Sequence, residues 1–418
     1  MTLKKKEVAA DAEHLRCLIV ATHYLPLVGG AQTVYDALAC CKSDQFHVLT
    51  SMRDYTTGEI VDEYDEFDRL APYKISRIDR IRPDLHAGRS SIFAKILSTL
   101  QGWMINQRLL RQIKYLCRNE DIDCIWVAAS EAIMWLPPKL KHLTDKKVIV
   151  FAHGEEFSQV AHSKAAEKKR HQALEAADGV IGVSHYTTDL LVKKYGADSS
   201  KVFLSTNGVN SEKFSGIIGE NARDRLKIPD GPVVFSCGRL VARKGFDNLL
   251  AAWPAVLERV PEAKLLIGGT GPIEACLKQE VEDLHIEDSV QFLGMIDSSD
   301  IADYYGLASV FAMPNRTMPD GDTEGFGLVV LEASAMGTVS IVGRAGGTSD
   351  AVQDGQTGLL IDASNIEEIA NAITILMTNN ALRDRMSNAA QVFARTQDWQ
   401  RKISGILAFI AMDDDGHQ

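Results

Sequence analysis

The stretch GPVVFSCGRLVARKGFDNLLAAWPAVLERVPEAKLLIGGTGP, residues 231–272, decides the fold because it contains a strand, a helix and a second strand in that order. GPVVFSCGRL and AKLLIGGTGP carry the short apolar runs that are typical of strands buried in a sheet. DNLLAAWPAVLERV between them is long enough and periodic enough to form a helix. Two strands joined by a crossover helix form a parallel pair, so the stretch predicts an α/β fold.

The same alternation occurs earlier in the chain, which predicts two domains. It begins at RCLIVAT, residues 16–22, and restarts after the polar, turn-rich NGVNSEKF, residues 207–214. We therefore expect two doubly wound, Rossmann-like domains, one over residues 1–210 and one over residues 211–396. Ligands of such sheets bind at the carboxyl ends of the strands, so we expect a site in the cleft between the domains.

Composition excludes several classes of protein. The chain has 418 residues, 45% hydrophobic and 24% charged, with a formal net charge of −11, which argues against a nucleic-acid-binding protein. Its seven cysteines form neither a CxxC pair nor a zinc spacing, so we expect reduced thiols in a cytoplasmic protein. No apolar run is long enough for a signal peptide or for a membrane span.

The stretch EGFGLVVLEASAMG, residues 324–337, combines two glycines with two carboxylates. A helix that starts near Gly327 would leave backbone N–H groups free to bind an anion, and the glycines would let a ligand approach the backbone. Glu324 before the helix and Glu332 on it could each accept hydrogen bonds from hydroxyl groups. The set suits a nucleotide sugar; the alternative is a surface glutamate and an N-terminal capping acid.

Three further loops follow predicted strands. Arg239 and Lys244 could neutralise a diphosphate, although with Arg243 they could equally form a solvated charged surface. His153 follows the strand KVIVFAH, where a lone histidine is more often structural. The pair Gly29-Gly30 is neither GxGxxG nor a P-loop, and a tight turn is its alternative.

A metal site is not expected. Asp320 and Asp322 match the DxD pattern of metal-dependent transferases, but Pro-Asp-Gly-Asp is also favourable turn chemistry.

Together these elements resemble the retaining GT-B glycosyltransferases of family 4 over nearly the whole chain. The resemblance rests on four elements: Glu324 and Glu332 with seven residues between them, Arg239 and Lys244 after Gly238, the Gly29-Gly30 loop, and NGVN at residues 207–210. The stretch FAMPNRTMPDGDTEGFGLVVLEASAMG is similar to the phosphatidylinositol-mannoside mannosyltransferase subgroup, which uses GDP-mannose.

The resemblance implies a role for each site residue. Glu324 and His153 would contact the donor sugar, Glu332 the ribose hydroxyls, and Arg239 and Lys244 the diphosphate. Further donor contacts are implied for Gly29, Gly30, Thr270, Met295, Phe326, Gly327 and Leu328. The chain departs from the family at Glu155, where a histidine is frequent, and at Asp350, where a glutamate is usual.

The implied activity is transfer of a hexose with retention, without a metal or other cofactor. The hexose would be mannose from GDP-mannose, or another hexose from a UDP-sugar, and the acceptor a lipid-linked, glycan or small molecule. The first domain would hold the acceptor, and a helix over 397–411 would pack back on it. Alternatives are a sugar-nucleotide epimerase, a non-catalytic nucleotide-sugar-binding protein, and a tandem-Rossmann oxidoreductase, which the missing GxGxxG disfavours.

A basic and apolar segment on the acceptor side suits an anionic membrane surface. Cations are in excess from residue 74 onward, at Lys74, Arg77, Arg80 and Arg82, and a predicted long helix carries more. The cations on that helix are Arg108, Arg111, Lys114 and Arg118, and its apolar residues are Phe93, Leu97, Leu100, Trp103 and Met104. We expect peripheral binding at the cytoplasmic face of a membrane; the alternative is a core-facing stripe with a solvated basic face.

Overall fold

The computed structural model describes residues 12–83, 92–128 and 130–412, without the side chains of residues 92–97. The strands of the first sheet are β1 (Cys17–Val20), β2 (Phe46–Ser51), β3 (Lys74–Ile78), β4 (Cys124–Ala128), β5 (Lys147–Ala152), β6 (Gly179–Gly182) and β7 (Val202–Leu204). Those of the second are β8 (Val233–Cys237), β9 (Lys264–Gly268), β10 (Val290–Gly294), β11 (Val310–Met313), β12 (Ser340–Gly343) and β13 (Gly358–Ile361).

Helices connect these strands. In the first half they are α1 (Gly30–Cys41), α2 (Tyr64–Leu70), α3 (Ile92–Asn119), α4 (Leu136–Leu143), α5 (Glu155–Ser158), α6 (Lys164–Ala176) and α7 (His185–Lys193). In the second half they are α8 (Ala222–Arg225), α9 (Phe246–Leu257), α10 (Glu274–Asp283), α11 (Ile301–Leu307), α12 (Leu328–Ala335), α13 (Ile366–Thr378), α14 (Asn380–Thr396) and α15 (Trp399–Ala411).

Both sheets are parallel and doubly wound, which confirms the predicted fold class. The strand order is β3-β2-β1-β4-β5-β6-β7 in the first sheet and β10-β9-β8-β11-β12-β13 in the second. All their strand pairs are parallel, so the carboxyl ends of each sheet's strands share one edge. The order reverses between β1 and β4 and between β8 and β11, the points where Rossmann-like sheets bind ligands.

The unit built by β8, α9 and β9 shows why the sequence folds this way. All five residues of β8 are buried, as expected for a strand covered on both faces. On α9, Leu249, Trp253 and Val256 recur at helical spacing and are fully buried in one apolar cluster with residues of both strands. The Trp253 indole also donates a hydrogen bond to Ser289 Oγ at 3.0 Å, so its polar atom is satisfied.

Helix α15 packs on the first half of the chain although it follows the second. It contacts α1, and Phe409 stacks on Phe203 of β7 with ring centroids 4.9 Å apart. Lys147 Nζ donates to the carbonyl of Ile410 at 2.7 Å. The connection between the two sheets, residues 205–221, contains the predicted domain boundary at residue 210.

Two further observations concern the cysteines and the lengths of the helices. All seven cysteines are free thiols. No helix in the described part of the chain combines the length and the hydrophobicity that a membrane crossing requires.

Candidate active site

The loops after β8 and β11 meet because these strands are neighbours at the switch point of the second sheet. They bring Lys244 Nζ to 2.7 Å from Glu324 Oε2, with only 10% and 14% of the two side chains exposed. Burial alone would raise the pKa of Glu324, but Lys244 and then Arg243 outweigh it and hold the pKa below its usual value. Glu324 is therefore an ionised carboxylate at neutral pH.

Arg243 joins the two halves of the chain through its guanidinium group. Its Nη1 lies 3.1 Å from Asp322 Oδ2 in the second half, and its Nη2 lies 3.3 Å from Glu155 Oε2 in the first. Arg243 thus belongs to the carboxylate cluster and is not part of a solvated charged surface. No local pattern in the sequence marks it, because its partners lie far away along the chain.

The Asp320–Asp322 turn is held by contacts within the protein. Asp320 Oδ1 accepts a hydrogen bond from the backbone N–H of Asp322 at 3.0 Å, and Asp322 pairs with Arg243. Within the described ranges, no group of three or more His, Cys, Asp or Glu side chains is placed to hold a metal ion.

Helix α12 begins at Leu328, close to the start predicted from the two glycines. Gly327 is its N-cap with φ of 91°, a left-handed conformation that favours glycine, and no side chain caps the helix. Phe326 is buried beneath the turn. The backbone start of α12 therefore lies between Glu324 and Glu332, as the spacing predicts.

Glu332 is a partly buried, hydrogen-bonded carboxylate. Its Oε2 accepts a hydrogen bond from the Tyr305 hydroxyl at 2.8 Å, and that hydroxyl lies 3.1 Å from Cys237 Sγ. Burial raises the pKa of Glu332, while Tyr305, Lys213 and Lys244 oppose the rise. Lys244 therefore acts to lower the pKa of both Glu324 and Glu332.

On the other side of the cleft, His153 follows β5. Its Nε2 is 2.8 Å from the hydroxyl of the buried Tyr35, and its ring stacks on Phe151 at 5.2 Å. Burial lowers the pKa of His153 to about 4, so the imidazole is neutral at pH 7. Its backbone N–H donates to Glu156 Oε1 at 2.6 Å. Burial raises the pKa of Glu156 to about 8.

The two halves touch at the glycine that follows Glu324. A Cβ atom at Gly325 would lie 1.7 Å from the carbonyl oxygen of His153, so only glycine fits there. From the sequence this glycine was expected to admit a ligand, whereas the structure gives it a role in the contact between halves. Nearby, the Val160 N–H donates to the carbonyl of Asp320 at 2.7 Å.

Asp350, which stands where a glutamate is usual in the family, also lies between the two halves. Its Oδ2 accepts a hydrogen bond from the backbone N–H of His185 at 2.5 Å, and its Oδ1 is 3.0 Å from His185 Nδ1. His185 is the first residue of α7, so the aspartate carboxylate binds at the start of that helix. The Asp350 carboxylate therefore links the two halves.

The remaining predicted donor residues lie at the same edges but make fewer contacts. Gly29 is the N-cap of α1 and Gly30 its first residue, where a Cβ would meet no atom within 4 Å. Arg239 is exposed and makes no ion pair or side-chain hydrogen bond with the described residues. Thr270 and Met295 are exposed in the loops after β9 and β10.

Helix α3 presents the predicted basic and apolar residues on one outward face. Its inward face buries Leu109, Ile113 and Leu116 in the core. The outward face includes Leu100, Trp103, Met104, Arg108, Arg111, Tyr115 and Arg118, all exposed, with Lys114 half-buried beside them. Trp103 is 59% exposed, so the described part of the apolar stripe does not face the core. Phe93 and Leu97 lie outside the side chains that the structure describes.

Family models match both halves of the chain. The model "Glycosyltransferase Family 4" matches residues 29–213, and the model "Glycosyl transferases group 1" matches residues 219–393. A GDP-mannose-dependent alpha-(1-6)-phosphatidylinositol monomannoside mannosyltransferase of Mycobacterium tuberculosis is 29% identical over 404 residues, covering 96% of this chain and 99% of that protein. A D-inositol 3-phosphate glycosyltransferase of Kribbella flavida is 31% identical over 247 residues, 57% of each chain.

Solved structures share the architecture. Anabaena HepE in complex with UDP and glucose superposes with a TM-score of 0.73 at 18% identity, covering 94% of this chain and 98% of that one. Sucrose-phosphate synthase from Thermosynechococcus elongatus superposes with a TM-score of 0.71 at 21% identity, covering 94% and 96%. At these identities the likeness is one of fold. With its family 4 domain followed by its group 1 domain, the chain belongs to the GT-B glycosyltransferases.

Proposed function

We propose that the chain is a retaining hexosyltransferase that transfers mannose from GDP-mannose, or another hexose from a UDP-sugar, to a lipid-linked, glycan or small-molecule acceptor. The observation that carries the proposal is the buried pair of Lys244 and Glu324 at the β8–β11 switch point, with Nζ 2.7 Å from Oε2. The mannosyltransferase relative, which spans almost the whole chain, supports GDP-mannose as the donor.

In this proposal each charged group has a separate task. Lys244 and the exposed Arg239 bind the diphosphate and stabilise the negative charge that develops on it as the glycosidic bond breaks. Glu332, held by Tyr305, accepts hydrogen bonds from the ribose hydroxyls. Glu324 accepts them from the hexose hydroxyls, and Arg243 helps to hold it in place.

The proposed chemistry proceeds on one face of the sugar. The bond between the anomeric carbon and the diphosphate oxygen breaks, and its electron pair stays with the diphosphate. The acceptor hydroxyl forms the new bond from the same face, and its proton passes to the leaving diphosphate. Neutral His153 contributes a hydrogen bond to the sugar and no positive charge, because burial keeps its pKa near 4.

Metal independence follows from the same assignment. Lys244 and Arg239 supply the positive charge that a divalent ion supplies in other transferases. A chelator should therefore leave the rate of transfer unchanged, and a loss of activity that Mg²⁺ or Mn²⁺ restores would contradict this part of the proposal.

The outward face of α3 supports peripheral binding to an anionic membrane at the cytoplasmic face. Exposed aromatic and apolar side chains can enter the headgroup region while neighbouring cations contact anionic lipids. Reversing Arg108 and Arg111 to Glu should abolish cosedimentation with phosphatidylserine-containing vesicles at low salt. Reversing Lys168 and Lys169, exposed on α6, changes the net charge equally and should have little effect. Equal effects of the two double variants would favour a soluble acceptor and no membrane contact.

One experiment separates this function from its alternatives. GDP- and UDP-sugars are incubated with the protein, with and without acceptor, and both nucleoside diphosphate release and sugar interconversion are measured. Acceptor-dependent release of GDP from GDP-mannose is the expected result. Interconversion of donors without acceptor would indicate an epimerase, and binding without turnover would indicate a non-catalytic nucleotide-sugar-binding protein.

A further inference from the structure

The imidazole of His153 lies against two aromatic rings of the first half. It stacks on Phe151 with the two ring planes 26° apart, and the Tyr35 ring meets it edge-on, with centroids 5.2 Å apart and planes at 83°. Phe151 lies on β5 and Tyr35 on α1, and both are buried. The imidazole therefore occupies a slot whose walls belong to the core of the first half.

The backbone at His153 is fixed as well. Its N–H donates to Oε1 of the buried Glu156 at 2.6 Å. The next residue, Gly154, has a φ of 112°, and a Cβ there would lie 3.0 Å from Thr187 Oγ1. With the main chain held in this way, the main freedom left to the side chain is rotation of the ring about its Cβ–Cγ bond.

The aromatic walls alone do not select one orientation of that ring. A half-turn about the Cβ–Cγ bond exchanges Nε2 with Cε1 and Nδ1 with Cδ2, and an apolar wall makes similar contacts with either arrangement. The Tyr35 hydroxyl is polar and lies 2.8 Å from His153 Nε2. After a half-turn it would face Cε1 and lose its hydrogen bond to the ring. The hydroxyl therefore favours the orientation in which Nε2 faces α1.

The same hydrogen bond determines the role of the other ring nitrogen. In a neutral imidazole one nitrogen donates and the other accepts, so the bond that Tyr35 makes at Nε2 sets what Nδ1 can do. Because Nε2 is engaged by Tyr35, a ligand in the cleft forms its hydrogen bond with the imidazole at Nδ1.

We infer that Tyr35 is a positioning residue for sugar transfer, which acts through His153 by keeping Nδ1 of the imidazole directed at the hexose of the donor. This inference rests on the proposed function, since it takes the hexose to be the group that meets His153. Tyr35 itself is buried and acts only through the imidazole. In the sequence it lies at an apolar position of the helical segment AQTVYDALAC, so no local pattern distinguishes it from an ordinary core residue.

Binding of GDP-mannose and of GDP, measured by calorimetry without acceptor, tests the inference, because the difference between the two affinities reports on the hexose. Tyr35→Phe removes the hydroxyl and keeps the ring. It should weaken binding of GDP-mannose by about 2- to 10-fold, the effect of one neutral hydrogen bond, and leave that of GDP unchanged. In a His153→Ala background the same change should affect neither ligand. UDP-glucose and UDP form the equivalent pair for a UDP-sugar donor.

Tyr73→Phe is the matched control. Tyr73 is also buried in the first half, and its hydroxyl lies 3.0 Å from that of Tyr24. Its replacement therefore removes a buried, hydrogen-bonded hydroxyl that has no part in holding His153. Both affinities should stay unchanged in this variant.

The ring nitrogens of His153 give a second readout, which a purely structural role of Tyr35 would not move. In protein with ¹⁵N-labelled histidine, the two resonances that disappear in His153→Ala should be well separated, as expected for one tautomer. They should approach each other in Tyr35→Phe and stay in place in Tyr73→Phe.

Several outcomes would overturn the inference. They are unchanged ring resonances in Tyr35→Phe, an unchanged affinity for the nucleotide sugar, equal losses for the sugar and the diphosphate, and a loss that persists in the His153→Ala background. Neither readout requires turnover, so an unaltered protein that binds donor but transfers no sugar would count against the proposed function alone. An unchanged thermal midpoint would show that Tyr35→Phe is folded.

Discussion

Breaking the Lys244–Glu324 ion pair should destabilise the protein far more than breaking an exposed pair of equal length. The two atoms are 2.7 Å apart and both side chains are largely buried. Removing one partner of a buried pair costs about 3–5 kcal/mol, because the other charge is left without compensation. Arg243 Nε remains 3.8 Å from Glu324, so Lys244→Met should lie at the low end of that range.

A double-mutant cycle isolates the interaction. Lys244→Met and Glu324→Gln are made singly and together, and the free energy of unfolding is measured by urea denaturation. The double variant removes both charges, so we expect a coupling energy of about 1–3 kcal/mol. The matched control is Lys278 with Glu274 on α10, also 2.7 Å apart but with 53% and 29% of the side chains exposed.

The exposed control pair should couple by only about 0.3–0.5 kcal/mol, since solvent screens it. If the coupling between Lys244 and Glu324 were no larger than in the control pair, the buried cluster would not be the strong electrostatic site described above. Both single variants should in addition lose transfer activity. Restored stability without restored activity in the double variant would separate the structural role of the pair from its catalytic one.

Three further predictions concern the groups around this pair. Glu332→Gln should weaken binding of free nucleoside diphosphate by about 10- to 100-fold, whereas Glu324→Gln should spare that affinity and abolish transfer; equal losses in a calorimetric titration would contradict the assignment. In the unaltered protein the pKa of Glu156 is raised to about 8, so ionisation of Glu156 destabilises the native state as pH rises from about 4.5 through 8. Glu156→Gln removes this acid and keeps an acceptor for the His153 N–H. The variant should therefore gain stability over the unaltered protein across that window, by at most about 1.4 kcal/mol per pH unit, and a constant difference in urea midpoints would refute this. Gly325→Ala places a Cβ 1.7 Å from the His153 carbonyl oxygen, so one half of the chain must shift against the other. The rate of transfer should fall by roughly 100-fold, and an unchanged rate would show that this contact is not needed.

The fold was largely predictable because most strands are continuous apolar runs between helical segments. The exception is β3, whose sequence KISRI mixes charged, polar and apolar residues, so hydrophobicity alone does not predict a strand there. It is the edge strand of its sheet, so one side can remain polar. Lys74 and Arg77 are tolerated there because each pairs with a carboxylate: Glu120, which follows α3, and Asp68 on the preceding helix α2.

The candidate site was predictable where its residues share one short segment. Glu324, Gly327 and Glu332 lie on a single loop and helix, so their spacing alone indicates a common ligand. Arg243 and Tyr305 gain their positions only when loops far apart in sequence come together, and no local pattern distinguishes Arg243 from a solvated arginine. Tertiary contacts likewise decide that His153 is neutral, since its pKa depends on burial.

The return of α15 to the first half affects the order in which the protein can be completed during synthesis. The apolar face of α15, which includes Trp399, Ile403, Leu407 and Phe409, is buried when the helix lies on the first half. Residues 211–396 must be translated before this helix exists, which takes roughly 10–40 s at typical ribosomal speeds. Throughout that interval the nascent first half has an uncovered apolar surface on α1, available to chaperones and to other nascent chains.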